Sequence, residues 1–185
     1  MKTTVKTGIG VALIWIIFCM LLFYTGNAKA GFVTGIFLNV FLLLASIAVG
    51  LYLHKKESGF EKLPFASDFK SAMQSGIVYA LIVSSFIYLY HEKIDPTIKD
   101  DLVELRMEAI HTMIPDEAAY HELQKEDDTW AEKSYNDYIE NQEDIIRSMI
   151  SSFSIFIFHL MGLIFFSIFY SFFATLILRK IVLRQ

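Results

Sequence analysis

Apolar residues fill four long runs of this chain, at positions 8–24, 32–53, 72–90 and 149–178. None of these runs contains Asp, Glu, Lys or Arg. Soluble helices and strands place apolar residues with a period of 3.6 or 2, whereas unbroken apolar runs of about 17 to 25 residues are typical of membrane-crossing helices. The pattern therefore predicts an all-α integral membrane four-helix bundle.

The first run also has two features of a secretory signal peptide. Lys2 and Lys6 precede it, and Ala28-Lys29-Ala30 follows it as an A-x-A motif. Its apolar core is longer than the usual signal core, which favours a retained helix. Cleavage would leave three spans, and this alternative stays open on the sequence alone.

Basic residues flank the four runs unevenly, and Lys and Arg collect on the cytoplasmic side of membrane helices. The second connection contains four lysines, and three basic residues follow the fourth run, whereas the first connection contains Lys29 alone. This distribution predicts both termini and the second connection in the cytoplasm. The first and third connections are then extracytoplasmic.

The third connection, residues 91–147, concentrates the acidic residues. It holds 17 of the 20 Asp and Glu residues and 6 of the 16 Lys and Arg residues, so its net charge is −11 and that of the remaining chain is +7. Such a charge repels nucleic acid, which we exclude as a partner. A solvated segment is the simplest interpretation, and a segment that binds cations is the alternative. We divide the chain into residues 1–90, 91–147 and 148–185.

Helical periodicity indicates that this acidic segment is folded. Apolar residues recur at helical spacing from Ile98 to Met113. Pro115, with two acidic residues after it, is a favourable first turn for a second short helix. The segment is therefore predicted to be an acidic helical extracytoplasmic insertion between the third and fourth spans.

A further stripe of residues in this segment leads directly into the fourth run. Its spacing is heptad-like. It consists of Ala131, Tyr135, Tyr138, Gln142, Ile145 and Met149. We expect one long helix from about Asp128 to about Ile181, with the helix of residues 98–113 packed against the stripe.

Small residues recur at four-residue spacing in several runs, as in Ser46-x-x-x-Gly50, Gly76-x-x-x-Ala80 and Ser167-x-x-x-Ser171. Such patterns permit close contact between membrane helices. They support a packed bundle, and they leave open whether the contacts form within one chain or between copies.

Two polar side chains stand out within the apolar runs, Asn39 and His159. Polar groups in lipid are costly and require partners. Counted from the outer ends of their helices, the two residues lie at similar depth, so we expect an Asn39–His159 pair. A structural hydrogen bond is the simpler interpretation, and a proton or ligand site is the alternative.

The sequence shows no motif of a catalytic, cofactor or metal site. Its single cysteine, Cys19, lies in an apolar run, where a thiol usually acts as a small hydrophobe. Glu117 and His121 share a helix face, but the H-E-x-x-H and calcium-loop patterns are missing. We expect no cofactor, no metal and no enzymatic activity.

Four short motifs of the chain are Phe65-Ala66-Ser67-Asp68-Phe69-Lys70, Gly76-Ile77, Tyr88-Leu89-Tyr90 and Ile94-Asp95-Pro96. Together they resemble one bacterial family, the domain-of-unknown-function 4199 family of small membrane proteins. This sequence departs from the family in the first connection and in the acidic segment. The resemblance implies four spans and a cytoplasmic-membrane location, and it implies no activity.

These observations favour a structural or accessory subunit of the bacterial inner membrane. Its partners are membrane lipid and another envelope membrane protein or a second copy of itself. The alternative is a small transporter or channel that uses His159 and Asn39. The expected docking face for a partner comprises Tyr135, Tyr138, Gln142, Leu102 and Leu105.

Overall fold

The computed structural model describes residues 1–28, 31–126, 128–130 and 133–181, and every regular element in these ranges is helical. A π-helical turn, Tyr90–Ile94, follows α3, and a 3-10 turn, Asp128–Trp130, follows α5. The α-helices are α1 (Thr3–Tyr24), α2 (Phe32–Glu57), α3 (Phe65–Leu89), α4 (Thr97–Met113), α5 (Glu117–Glu126), α6 (Tyr135–Met149) and α7 (Ser152–Ile181).

Four helical stretches are long and apolar enough to cross a membrane. They coincide with the four predicted runs, so the predicted all-α fold with four membrane-spanning helices is confirmed, and the chain is a multi-pass membrane protein by this criterion. Large apolar side chains on their surfaces are exposed, including Phe158 at 66% and Phe165 at 57%. The stretches are Thr3–Tyr24, Thr34–Glu57, Phe65–Ile94 and Ser152–Ile181.

Internal contacts divide the chain into two compact units. The first, here called the span unit, comprises Met1–Phe86 and Phe156–Gln185. The second, here called the acidic unit, comprises Ile87–Ile155. Each is described by itself below.

The helices of the span unit alternate in direction. Thr3 at the start of α1 donates a hydrogen bond of 2.6 Å to Glu57 at the end of α2. Asp68, near the start of α3, contacts Lys55 of α2 at 2.7 Å and Arg179 near the end of α7 at 2.9 Å. The chain therefore enters α1 and leaves α7 at the same end of this unit.

Small residues bring the helices of the span unit close together. The hydroxyls of Ser46 in α2 and Ser75 in α3 lie 2.9 Å apart. A Cβ atom at Gly50 would lie 2.7 Å from the Ser75 hydroxyl oxygen. A Cβ atom at Gly76 would likewise lie 2.7 Å from the Ser167 hydroxyl oxygen of α7. Residues of these motifs thus form contacts within one chain.

The predicted long helix from Asp128 to Ile181 is wrong at two places. It begins only at Tyr135, because Ser134 forms a capping box with Asp137. It is also interrupted between α6 and α7. There the Ser154 hydroxyl donates to the Ser148 carbonyl at 2.8 Å, and the Ser151 hydroxyl accepts from the Ser154 amide at 3.2 Å. Serine side chains that bond nearby backbone groups compete with helix continuation, and this segment contains several of them.

Aromatic side chains form the core of the acidic unit. Tyr120 is 1% exposed and Tyr138 is 8% exposed. Their rings lie 5.3 Å apart, and Trp130 packs edge-on against Tyr138 at 4.9 Å. The Tyr120 hydroxyl donates to the Lys133 carbonyl at 3.0 Å, which holds the chain before α6 against α5. A folded acidic segment, with residues 98–113 helical, agrees with the predicted periodicity.

The prediction that α4 packs against α6 is correct. The face of α4 predicted to make this contact is wrong. The two helices contact each other. However, Val103 is the buried residue of α4, at 6% exposure, whereas Leu105 is 61% exposed and Met113 is 72% exposed. Of the α6 stripe, Ala131 lies outside the described residues.

Candidate functional site

Asn39 is buried in the span unit, and its hydrogen-bond partner is Tyr79. The Tyr79 hydroxyl donates to the Asn39 side-chain oxygen at 2.7 Å and lies 3.1 Å from the Asn39 carbonyl oxygen. Tyr79 is fully buried. Sequence reasoning missed this partner because a tyrosine within an apolar run resembles any other aromatic core residue.

His159 lies on α7 and is partly exposed. The structure gives Asn39 a partner from α3, and the pairing of Asn39 with His159 stays a prediction. The observed bond from Tyr79 fits the structural interpretation of Asn39, since it meets the acceptor requirement of a polar side chain buried among apolar helices.

A buried ionic cluster closes the end of the span unit where α1 begins. Lys55 and Asp68 are 0% and 1% exposed, and their charged atoms lie 2.7 Å apart. The Lys55 ammonium also donates to the Glu61 carbonyl at 2.7 Å. The Arg179 guanidinium donates to the second carboxylate oxygen of Asp68 at 2.9 Å and to the Leu63 carbonyl at 2.8 Å. The cluster therefore joins α2, the α2–α3 connection, α3 and α7.

This cluster has the geometry of a structural clamp. Buried charges are tolerated when they are paired and hydrogen-bonded, and here the Lys55 ammonium also donates to the Glu61 carbonyl while Arg179 donates to the second Asp68 oxygen. Its Asp68 belongs to the Phe65–Lys70 motif that carries the family resemblance. The α2–α3 connection that it holds contains two successive residues with positive φ, Gly59 at 62° and Phe60 at 59°.

The five residues of the predicted docking face have different surroundings. Tyr138 belongs to the aromatic core, where burial raises the pKa of its hydroxyl. The Tyr135 hydroxyl donates to the Ile114 carbonyl at 3.0 Å. Gln142 and Leu102 are partly exposed, and Leu105 is exposed. The structure thus assigns two of these residues to internal contacts, and docking itself stays a prediction.

Two exposed stripes run side by side along α4. The acidic stripe comprises Asp100, Glu104 and Glu108, which repeat every four residues and so share one helix face. The apolar stripe comprises Leu105, Ala109 and Met113, with the same spacing. Like charges four residues apart destabilise a helix, and exposed apolar side chains gain from being covered.

A polar cleft of about 420 Å³ lies within the acidic unit. At its base, the Ser152 hydroxyl donates to Glu92 at 2.7 Å and accepts from the Lys99 ammonium at 3.0 Å. The same ammonium lies 3.3 Å from Glu92. The residues that line the cleft combine charged, hydroxyl and apolar side chains. They are Tyr88, Glu92, Lys99, Asp100, Val103, Arg147, Ile150, Ser151, Ser152 and Phe153.

Metal-ligating residues do not cluster in the part of the chain that the structure describes: no group of three or more His, Cys, Asp or Glu side chains there could hold an ion. Glu117 and His121, the face considered from the sequence, lie on α5, and the His121 ring contacts Gln124 at 2.8 Å. The nearby Asp127 lies outside the described residues.

Comparison with known proteins gives one match. The model of a family described as "Protein of unknown function (DUF4199)" matches residues 6–180. No curated protein and no solved structure matches the chain. The match covers nearly the whole chain and confirms the resemblance seen in the four short motifs.

Proposed function

The chain belongs to the DUF4199 family, and from this premise we propose that it is a structural or accessory membrane subunit, without enzymatic activity of its own, that docks a partner on its acidic unit. The partner is another membrane protein whose extramembrane segment carries basic and apolar residues. The proposed location is the bacterial inner membrane, with both termini cytoplasmic and the acidic unit outside.

The observation that carries this proposal is the pair of stripes on α4. An acidic stripe beside an apolar stripe, both exposed on a helix whose other face is packed, is the arrangement of a docking surface. Leu105 and Met113 are more than 60% exposed. A partner would cover these apolar side chains and neutralise the repulsion between the carboxylates.

Charge complementarity defines the partner's chemistry. The segment of residues 91–147 has a net charge of −11, so two acidic units repel each other. A basic segment is attracted to the same surface, and complementary charge selects partners and speeds their encounter. A second copy of this chain docked through α4 is therefore disfavoured.

The polar groups of the span unit support a structural role. Asn39 bonds to Tyr79, Ser46 bonds to Ser75, and the Lys55–Asp68 pair is held by further hydrogen bonds. Polar side chains that hydrogen-bond to one another across neighbouring helices fix how those helices pack.

A photo-crosslinking amino acid at Ala109, between the two stripes, tests the proposal. In intact cells it should capture one protein through a peptide that contains Lys or Arg. The double variant Glu104→Gln/Glu108→Gln should reduce this adduct about fivefold, because two surface ion pairs together contribute about 1 kcal/mol.

The matched controls lie on α5 of the same unit. A crosslinker at the exposed Ala118 should not capture that protein, and Glu117→Gln/Glu122→Gln should leave the Ala109 adduct unchanged. Capture of the same proteins from both positions, or equal loss in both double variants, would show that α4 is not a docking surface.

A further inference from the structure

The polar cleft lies where the apolar helices end. Tyr88 is the penultimate residue of α3, and Phe153 is the second residue of α7. Both side chains are exposed, Tyr88 at 36% and Phe153 at 64%. Aromatic side chains at the end of a membrane-crossing helix are typical of the boundary between lipid and water. This pair of aromatic side chains therefore suits a cleft at the level of lipid headgroups.

Charged groups of both signs line this cleft in equal number. Lys99 and Arg147 are the cations, and Glu92 and Asp100 are the anions. The cleft is thus formally neutral, although it lies in a unit with a large excess of negative charge. That excess repels a simple anion, whereas a zwitterion carries no net charge and can contact both signs.

The two cations retain donors for a ligand. An ammonium has three N–H donors, and Lys99 directs two of them to Ser152 and Glu92. The Arg147 Nε donates to Glu143 at 2.8 Å, while its Nη1 lies 3.7 Å from Asp100, beyond hydrogen-bond length. The remaining guanidinium donors suit the oxygens of a phosphate.

Carboxylates on the same cleft provide the complementary half of the site. The hydroxyl of Ser152, a residue that is 4% exposed, holds Glu92 in place. The Glu92 side chain remains 38% exposed. Asp100 is 78% exposed. Carboxylate oxygens of this kind accept hydrogen bonds from a primary ammonium, which has three donors, whereas a quaternary ammonium has none.

Apolar side chains complete the lining. Val103 and Ile150 provide an apolar wall beside the charged groups, and Phe153 extends it along the start of α7. The volume of about 420 Å³ lies within the usual range of ligand sites, about 300 to 1,000 Å³. A ligand with a charged head and an apolar continuation fits this combination.

We propose that the polar cleft binds the headgroup of a zwitterionic phospholipid with a primary ammonium, as in phosphatidylethanolamine. The phosphate contacts Lys99 and Arg147, and the ammonium contacts Glu92 and Asp100. The bound lipid fixes the position of α4 and α6 at the membrane surface. This site shares Asp100 with the acidic stripe, but its other charged residues, Glu92, Lys99 and Arg147, lie outside the two stripes, and it needs no protein partner.

Native mass spectrometry of the full chain in detergent tests this site. The probes are phosphatidylethanolamine, phosphatidylcholine and phosphatidylglycerol, each added at the same concentration. Phosphatidylethanolamine should be retained at one molecule per chain and more strongly than the other two. Arg147→Gln should weaken its retention about tenfold, since a hydrogen bond to a charged group contributes about 1.5 kcal/mol.

Two further variants test whether lipid retention depends on the charges of the cleft itself. Lys125→Gln removes one positive charge from α5, where Lys125 pairs with Glu122 outside the cleft, and it should leave lipid retention unchanged. Glu92→Gln gives the cleft a net positive charge and should shift its preference toward phosphatidylglycerol. Circular dichroism of each variant establishes that its helices are intact.

Three results would overturn the proposal. Equal retention of the three lipids would show that the cleft does not select a headgroup. Equal effects of Arg147→Gln and Lys125→Gln would show that only total charge matters. Displacement of the lipid by millimolar inorganic phosphate would identify a site for free phosphate instead.

Discussion

Lys55 and Asp68 form an ion pair of 2.7 Å in which neither side chain reaches the surface. The two residues belong to different helices, α2 and α3, and Arg179 of α7 contacts the same carboxylate. Removal of one charge from such a pair leaves the other charge buried without compensation, which costs far more than the net contribution of the pair.

Asp68→Asn should therefore lower the free energy of unfolding by about 3 to 5 kcal/mol. The measurement is unfolding of the detergent-solubilised protein, followed by circular dichroism. Glu61→Gln is the control, because it removes an exposed carboxylate from the same α2–α3 connection and should change stability by less than about 0.5 kcal/mol. Similar losses in both variants would show that Asp68 is not a clamp.

Replacing both partners separates the charge effect from packing. The double variant Lys55→Met/Asp68→Leu removes the pair without leaving a buried charge, and it should regain part of the stability that Asp68→Asn loses. A double variant less stable than Asp68→Asn would assign the loss to the contacts of Arg179 and the connection instead.

Gly76 should not tolerate a larger side chain. A Cβ atom there would lie 2.7 Å from the Ser167 hydroxyl oxygen and 2.9 Å from Ile47 Cδ1. Gly76→Val should destabilise the span unit by about 1 to 3 kcal/mol through overpacking, measured by the same unfolding experiment. Gly10→Val is the matched control, because a Cβ at Gly10 meets no atom within 4 Å. Equal stability of the two variants would contradict the close approach of α3 and α7.

The sequence predicts the four apolar helices because uninterrupted apolar runs leave few alternatives. It does not reveal the clamp, since Asp68 lies just outside an apolar run and resembles a solvated residue. Its burial depends on Arg179, which is 111 positions away along the chain. Asn39 is a comparable case, because its need for a partner is evident but the identity of that partner depends on how α2 and α3 pack.

The break between α6 and α7 is signalled locally by serines, but the periodicity of the apolar residues conceals it. The stripe through Ile145 and Met149 continues in phase with the apolar run, which favours one helix. The side chains of Ser151 and Ser154 oppose it, because the Ser154 hydroxyl donates to the Ser148 carbonyl and the Ser151 hydroxyl accepts from the Ser154 amide. Helix propensity and side-chain competition thus decide this boundary, and the heptad spacing does not.

The start of α6 should respond to acid through Asp137. A hydrogen bond from the Ser134 hydroxyl, together with one from the Ser134 amide, holds the pKa of the Asp137 carboxyl below its usual range. A carboxyl with a lowered folded-state pKa stabilises the fold above its unfolded pKa, and this contribution is lost as the pH falls through the folded value.

Asp137→Asn should consequently be less stable than the parent chain at neutral pH, and the difference should shrink below about pH 4, where Asp carboxyls begin to protonate. Thermal unfolding of both proteins across pH 2.5–7, about the range over which a carboxyl titrates, provides the measurement. Glu140→Gln, an exposed carboxylate one turn further along α6, should show no such convergence. A difference independent of pH would mean that the carboxylate charge does not contribute to the cap.

The proposed topology can be tested with single cysteines. Cys19 is first replaced by serine, and a cysteine is then placed at Glu108 of α4 or at Lys62 of the α2–α3 connection, both exposed positions. Because Lys and Arg favour the cytoplasmic side, position 108 should react with a membrane-impermeant maleimide in intact cells, whereas position 62 should react only after permeabilisation. The reverse pattern would place the acidic unit in the cytoplasm, where a partner from the outer face of the membrane could not reach α4. Labelling at both positions in intact cells would place them on the same side of the membrane and would contradict the crossing of the membrane by α3 between them.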